Sequence, residues 1–437
     1  MKTGLELGRE IASGKLDPVE LTQSTLEKIS SHRHRDTIFA RLTEERAMVE
    51  AKAALARQKS GRMKSPVDGV PISWKDLFDT AGVKTESGSQ LLKGRTPTED
   101  ATALTNAAEA GLVCIGKTHL SELAFSGLGI NPKTATAPNR RGTDIAPGGS
   151  SSGAAASVAY DLVPFGIGSD TGGSVRIPSA WNDLVGFKTT HGLISDHGVV
   201  PLCSGFDTAG PLCTDVADAW TLVAIMAGQN PELPDPKPIS KCRFLINETT
   251  TLDDVQPDQS EGFELAVEKL QSAGATIERQ PIDEFQEILP LGPILFPFEA
   301  WSEWGEIIEA NPGVMFEPVQ NRFASGKPVT REQYDTATTQ MIVLRETYNN
   351  RVSHYDAVLA PTIAIGPPKI EPLMNDFDLF GATNMMALRN TRFFNMFGCC
   401  ALTIPTSRPA AGIMIAMQGG QDRKLASVGL AIEQAVK

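Results

Sequence analysis

The chain has 437 residues, with 40 Lys and Arg against 52 Asp and Glu for a formal net charge of −12. That acidic balance excludes a direct nucleic-acid partner, which would call for clustered basic side chains. Aliphatic, aromatic and Cys residues make up 41% and glycine is abundant, so a sizeable core is expected at a length that allows one large domain or two to three smaller ones.

The opening residues, Met1-Lys2-Thr3-Gly4-Leu5-Glu6, lack the apolar stretch of a signal peptide, which predicts a cytoplasmic protein. Residues 16 to 58 predict helices, with Pro18 in a first turn and Leu21, Leu26 and Ile29 at roughly helical spacing. Gly69 to Lys75 reads as a strand ending near Lys75. Thr96-Pro97-Thr98-Glu99 has capping-box spacing before an Ala-rich helix that stops at Gly111, and Leu112 to Ile115 follows as a strand. Residues 142 to 210, dense in Gly and Ser, read as a structured loop system holding a helix at Ala154 to Ala159 and a strand at Leu162 to Phe165. The region from 225 to about 355 reads as helical and surface-forming. Its most apolar run, Ile288 to Phe298, carries three prolines and is too short for a membrane span. Tyr355 to Pro361 returns to strand-like composition, and the chain ends in a helix, Asp422 to Val436. Six cysteines show neither a C-x-x-C pair nor a His at zinc spacing, which predicts reduced core thiols and no metal site.

Three motif matches compete. Gly111-Leu112-Val113-Cys114-Ile115-Gly116-Lys117-Thr118 fits the phosphate-loop pattern by letter, but its glycine follows a helix and its middle residues are strand formers; a helix-Gly-strand turn is the better reading. Gly149-Ser150-Ser151-Ser152-Gly153 contains G-x-S-x-G centred on Ser151. A Ser-His-Asp triad would then need Asp170 or Asp215 with His354, and the residues before Gly149 read as loop rather than strand. The third reading joins three segments: Gly148-Gly149-Ser150-Ser151-Ser152-Gly153, then Gly168-Ser169-Asp170-Thr171-Gly172-Gly173-Ser174-Val175-Arg176, and upstream Val70-Pro71-Ile72-Ser73-Trp74-Lys75-Asp76. Together these resemble the amidase signature family from about residue 66 to 220, and the likeness resumes at Tyr355 to Pro361 and Asn390 to Pro405.

The resemblance implies one large α/β domain over residues 1 to 437, a mixed central β-sheet surrounded by α-helices, with the signature core at about 66–220 and a variable pocket-forming region at 225–350. It implies Ser174 as the acylated nucleophile, Ser150 as a serine that follows a cis peptide and relays a proton, and Lys75 as general base. It also implies an oxyanion hole from the amides of Thr171, Gly172, Gly173 and Ser174, and a supporting set of Ser151, Asp170 and Arg176 that holds the two serine loops in register. The chemistry needs a base other than histidine, and an amine serves once burial lowers its pKa. From the residues alone Lys75 could also be an exposed strand-end lysine paired with Asp76, and Asp170 with Arg176 an ordinary ion pair.

The likeness breaks at Lys188-Thr189-Thr190, so the loop leading to His191 is expected to take its own path, with His191 a structural residue. For the substrate pocket only fragments are legible. Phe125 and Ser126 match a loop beside the oxyanion hole, and Arg389 and Arg392 are candidates to anchor a substrate carboxylate. The expected activity is hydrolysis of a small carboxamide or acylurea through an acyl-enzyme, with no cofactor, no membrane attachment and, by resemblance, a homodimer. Two alternatives stand beside it: the glutaminase subunit of a tRNA-dependent amidotransferase, and a catalytically silent binding protein on the same scaffold.

Overall fold

Among the described residues eleven strands follow one another: β1 (Phe39–Leu42), β2 (Pro71–Lys75), β3 (Val113–Thr118), β4 (Phe165–Ser169), β5 (Val185–Lys188), β6 (Ala209–Cys213), β7 (Arg243–Asn247), β8 (Thr276–Gln280), β9 (Ala357–Pro361), β10 (Cys400–Pro405) and β11 (Gly412–Met417). In the computed structural model, which describes residues 2–436, they form one sheet in the order β1-β3-β2-β4-β6-β5-β10-β11-β9-β7-β8. Parallel pairs (β2 with β3 and β4, β7 with β8 and β9) stand beside antiparallel ones, so the sheet is mixed. Helices cover it; β2, β3, β4, β5, β6 and β11 are buried along their whole length. That burial on both faces explains their continuous apolar runs.

The expected helices at residues 16–58 are present as Pro18–Ser31 and Glu44–Lys59. Asp17 caps the first by accepting from Val19 N at 2.7 Å, one residue before the first-turn proline. Between them lies a strand absent from the sequence-based expectation, β1, which pairs antiparallel with β3. The helix expected to stop at Gly111 spans Thr102–Glu109, and no side chain caps it. The capping-box letters at Thr96 to Glu99 lie in a loop instead, where Pro97 O accepts from Gly82 N at 2.9 Å. The strand expected at Leu162 to Phe165 begins where that run ends, as β4. The C-terminal helix spans Asp422–Val436 as expected and packs on β10 and on the helix Val216–Met226.

Gly111 to Thr118 is a helix-Gly-strand turn, not a phosphate loop. Gly111 has φ +93° and β3 follows directly. Lys117 is buried inside the fold and donates to Phe78 O at 2.6 Å and Thr85 Oγ1 at 2.9 Å. All six cysteines are buried free thiols. Among the described residues no helix is long and apolar enough to cross a membrane; Leu295, Phe296 and Pro297 of the apolar run are buried in the helix Gly292–Ala310.

Candidate active site

β2 and β4 run parallel and adjacent, and their C-terminal ends bring Lys75 and Ser169 to one edge of the sheet. Alternation along β2 then separates neighbours. Lys75, fully buried, donates from Nζ to Ser150 Oγ at 2.7 Å and to Ser169 Oγ at 2.8 Å. Asp76 is turned away to Arg41 Nη1 at 2.5 Å and Lys117 Nζ at 3.4 Å. Lys75 is therefore not the exposed partner of Asp76. Burial pulls its pKa down to about 7, against the opposing pull of the Asp207 and Asp170 carboxylates.

Ser150 follows a cis Gly149–Ser150 peptide, and its carbonyl accepts from Ser121 N at 3.1 Å. Gly149 has no space for a side chain, since a Cβ there would lie 2.5 Å from Gly129 N. Ser151 is no exposed elbow nucleophile. It is buried, its Oγ donates to Ser169 O at 3.2 Å, and its amide donates to Ser174 O at 3.3 Å, which ties the two serine loops together. His354 is exposed just beyond the helix Arg331–Val352, which leaves Ser151 without a triad. His191 is an exposed loop residue whose Nε2 meets Ser204 O at 2.8 Å. Beside it, Thr190 N is held by Asp422 Oδ1 at 2.8 Å.

Ser174 precedes the helix Arg176–Trp181 and lines a small cavity of about 20 Å³ with Thr171, Gly172, Phe125, Ser126, Arg322 and Arg392. Of the four amides expected to form an oxyanion hole, one already has a partner in the structure. Gly173 N donates to Asp170 Oδ1 at 2.8 Å, so that amide is already engaged. Gly173 is glycine for a local reason: its φ is +135°, and a Cβ would sit 2.0 Å from Thr391 Oγ1.

Asp170 and Arg176 are both fully buried and paired bidentately, Nε to Oδ2 at 3.0 Å and Nη2 to Oδ1 at 2.9 Å. Burial alone would raise the Asp170 carboxyl, but the Arg176 guanidinium, with Lys188 and Asn395, holds it well below the usual carboxylate range. Arg176 also donates to Thr391 O at 3.0 Å and Asn395 Oδ1 at 2.5 Å, which fastens the Ser174 loop to the helix Phe377–Met396. Removing one partner of such a pair strands a buried charge. Arg176→Met should therefore lower stability by about 3–5 kcal/mol, measured by denaturant unfolding; a loss below about 1 kcal/mol would contradict the bracing role.

Two polar groups at the site carry no mark in the sequence. Ser169 is the second acceptor for Lys75. Asp207, half-buried, accepts from Thr171 Oγ1 and, at 2.8 and 3.0 Å, from the amides of Leu202 and Cys203. Burial pushes its carboxyl up to about 6, while those hydrogen bonds oppose the rise.

Of the expected pocket residues, Phe125 and Ser126 line the cavity, and Ser126 Oγ donates to Asn384 Oδ1 at 3.2 Å. Arg392 lies there too, 5% exposed, with its guanidinium 5.5 Å from the Phe296 ring centroid. Arg389 does not. Its Nε donates to Asn390 Oδ1 at 3.1 Å and its charge faces Asp253 and Asp254, away from Ser174. The second cavity arginine is Arg322, from the helix Glu317–Ala324, 4.2 Å above the Phe125 ring.

Comparison with known proteins agrees with this architecture. The family described as Amidase matches residues 20–420, and the chain belongs to that family. It is 32% identical over 320 residues to the A subunit of the glutamyl-tRNA(Gln) amidotransferase of Marinobacter nauticus, a match covering 68% of this chain and just under two thirds, 65%, of that protein. The corresponding protein of Thermobifida fusca is 32% identical over 367 residues, 80% of this chain and 74% of that protein. Among solved structures, a crystal structure of an amidase superposes over 100% of both chains with a TM-score of 0.90 at 26% identity.

Proposed function

We propose that the chain hydrolyses the C–N bond of a small carboxamide or acylurea through an acyl-enzyme on Ser174. The observation that carries this reading is the 2.7 Å contact of Lys75 Nζ with Ser150 Oγ, in a fully buried site that lowers the amine to about 7. In its neutral form Lys75 keeps one N–H on Ser169 Oγ, which aims its lone pair at Ser150. Ser150 passes its proton to Lys75 and takes the proton of Ser174 as Ser174 Oγ bonds to the carbonyl carbon. The oxyanion is held by the amides of Thr171, Gly172 and Ser174, since Gly173 N is committed to Asp170. When the tetrahedral intermediate collapses, the C–N bond breaks and the proton returns from Lys75 through Ser150 to the leaving nitrogen. Water then repeats the sequence on the ester, releasing the acid and free Ser174.

The test is ammonia or amine release from a panel of malonamate, glutamine, aliphatic and aryl amides and biuret-type acylureas. Turnover of one chemical class supports the reading; silence with every class counts against a stand-alone hydrolase. The relay makes a separate prediction. Ser150→Ala should retain a residual rate about 10²- to 10⁴-fold below the parent, because Lys75 can still take the Ser174 proton over a longer gap. Full activity in that variant would remove Ser150 from the proton path.

A second reading follows from the names of the relatives, which are A subunits of glutamyl-tRNA(Gln) amidotransferases. In that role the chain would release ammonia from glutamine inside a complex, and a partner would supply the basic surface that its net charge of −12 lacks. Copurification of a stable heteromeric complex with glutamine-dependent ammonia release favours this reading. A homodimer that hydrolyses amides alone, read by sedimentation together with activity, favours the first.

A further inference from the structure

β4 and β6 pair antiparallel, with Ser169 opposite Ala209, and the pairing runs on past their ends. Asp170 N donates to Thr208 O at 2.7 Å, and Thr208 Oγ1 donates to Asp170 O at 2.7 Å. The next step along this antiparallel path sets Thr171 beside Asp207. There Thr171 Oγ1 donates to Asp207 Oδ1, while Asp207 Oδ2 accepts from Leu202 N and Cys203 N at 2.8 and 3.0 Å. One carboxylate thus joins the loop that bears Ser174 to the turn at residues 202–207, and Leu202 of that turn lines the Ser174 cavity.

The same carboxylate borders a second small space. Ser169, Thr171 and Asp207 line a cavity of about 20 Å³ with Leu77, Val200 and Leu202, and Ser169 is the residue that holds Lys75 Nζ at 2.8 Å. Two carboxylates favour the charged form of Lys75, Asp207 and Asp170. The charge of Asp170 is already matched by Arg176 in a bidentate pair. Among the described residues the hydrogen-bond partners of Asp207 are a hydroxyl and two amides, all neutral. Glu299, on the helix Gly292–Ala310, also faces Asp207, but it is negative and is held by Gly205 N at 2.9 Å and Tyr334 Oη at 2.8 Å. Asp196, on the same cavity, adds no positive charge. Burial raises the Asp207 carboxyl to about 6, so it is ionised over the range in which Lys75 serves as a base.

We propose that Asp207 is a positioning residue for the reaction at Ser174: it clamps the Thr171 loop to the 202–207 turn, and its charge faces the ammonium formed when Lys75 takes the serine proton. This rests on the amide-hydrolysis reading above and adds a residue to it. A carboxylate without a cation is costly in a desolvated place, and protonation of Lys75 supplies that cation during the reaction. The carboxylate in turn keeps Lys75 a stronger base than burial alone would leave it. Without it Lys75 would give up its proton at lower pH and would draw less strongly on Ser150.

The experiment titrates Lys75 itself, through the NMR shift of the ε-carbon in isotopically labelled lysine, with the signal assigned by its loss in Lys75→Met. Beside it, acylation of Ser174 by a sulfonyl fluoride is followed from about pH 5 to 9. In the parent chain both midpoints should lie near 7. Asp207→Asn can still accept from the two amides and donate to Thr171 Oγ1, but it lacks the charge. Both midpoints should fall by about one pH unit, and the plateau rate about 3- to 30-fold. Thr171→Val keeps the charge and removes the clamp, so its plateau rate should fall about 3- to 10-fold with the Lys75 midpoint unmoved. Should Asp207→Asn fail to fold, Asp207→Ser carries the same prediction for the midpoints. A Lys75 midpoint unchanged by loss of the carboxylate overturns the proposal, and so does a Thr171→Val rate equal to that of the parent. The lysine titration decides even where Ser174 is never acylated, a failure that belongs to the hydrolase reading alone.

Discussion

Ser174→Ala should reduce amide turnover by about 10⁴- to 10⁶-fold, the loss seen when the nucleophile of a coupled catalytic group is removed. The alanine cannot form the acyl bond, and neither neighbouring serine can replace it. Ser151 is held against Ser169 O at 3.2 Å, and Ser150 Oγ is held by Lys75 Nζ at 2.7 Å. The side chain of Ser174 is small and the residue buried, so the substitution should leave the unfolding midpoint close to that of the parent. Measuring both quantities separates chemistry from folding. A variant that keeps a tenth of the parent rate would show that another group is acylated.

Lys75→Met should remove nearly all activity near neutral pH, and in the parent chain the same lysine should set the acid limb of the rate. Its ammonium form cannot accept a proton. With the pKa drawn down to about 7 by burial, the neutral fraction rises as pH increases through about 7. The expected kcat/KM profile is therefore low at about pH 5, half-maximal near 7 and level above about 8. An exposed lysine would move that midpoint above about 10. A profile flat from about pH 5 to 9, or a Lys75→Met variant with the parent rate, would exclude Lys75 as the base.

Why the lysine and serines are legible in the sequence, and their surroundings are not, follows from where each signal resides. Lys75, Ser150 and Ser174 stand in short segments, the two serines among glycines whose letters mark places where another segment packs too closely for a side chain. Gly149 abuts Gly129 N, and Gly173 abuts Thr391 Oγ1. Constraint of that kind is visible in the chain itself. Arg322 has no such local mark. It is one arginine on a helix with mixed exposure, and what distinguishes it is its place on the cavity beside Ser174, a property of tertiary structure. Arg389 and Arg392 suggest themselves as a pair because they are neighbours in the chain. The helix turns Arg389 toward Asp253 and Asp254 instead. Asp207 and Ser169 are hidden for the same reason as Arg322, since both act through partners brought in by other strands and loops.

The strands β7 and β8 show a different difficulty. The composition of that region favours helix, yet both join the edge of the sheet, paired in parallel with each other. β7, Arg-Phe-Leu-Ile-Asn, is a brief apolar run whose length and pattern do not separate strand from buried helix. β8, Thr-Ile-Glu-Arg-Gln, is polar because it is the last strand and half open to solvent. Its identity depends on pairing with β7, across the helix Pro257–Ser272. β1 leaves little trace because only four residues between two clear helices form it.

The central claim, that Ser174 is the group acylated, is tested most directly by treating the chain with a fluorophosphonate or a sulfonyl fluoride and locating the adduct by peptide mass spectrometry. One adduct on Ser174, lost in Ser174→Ala and formed faster as pH rises through about 7, is the expected result. An adduct on Ser150 or Ser151 with Ser174 unmodified would contradict it.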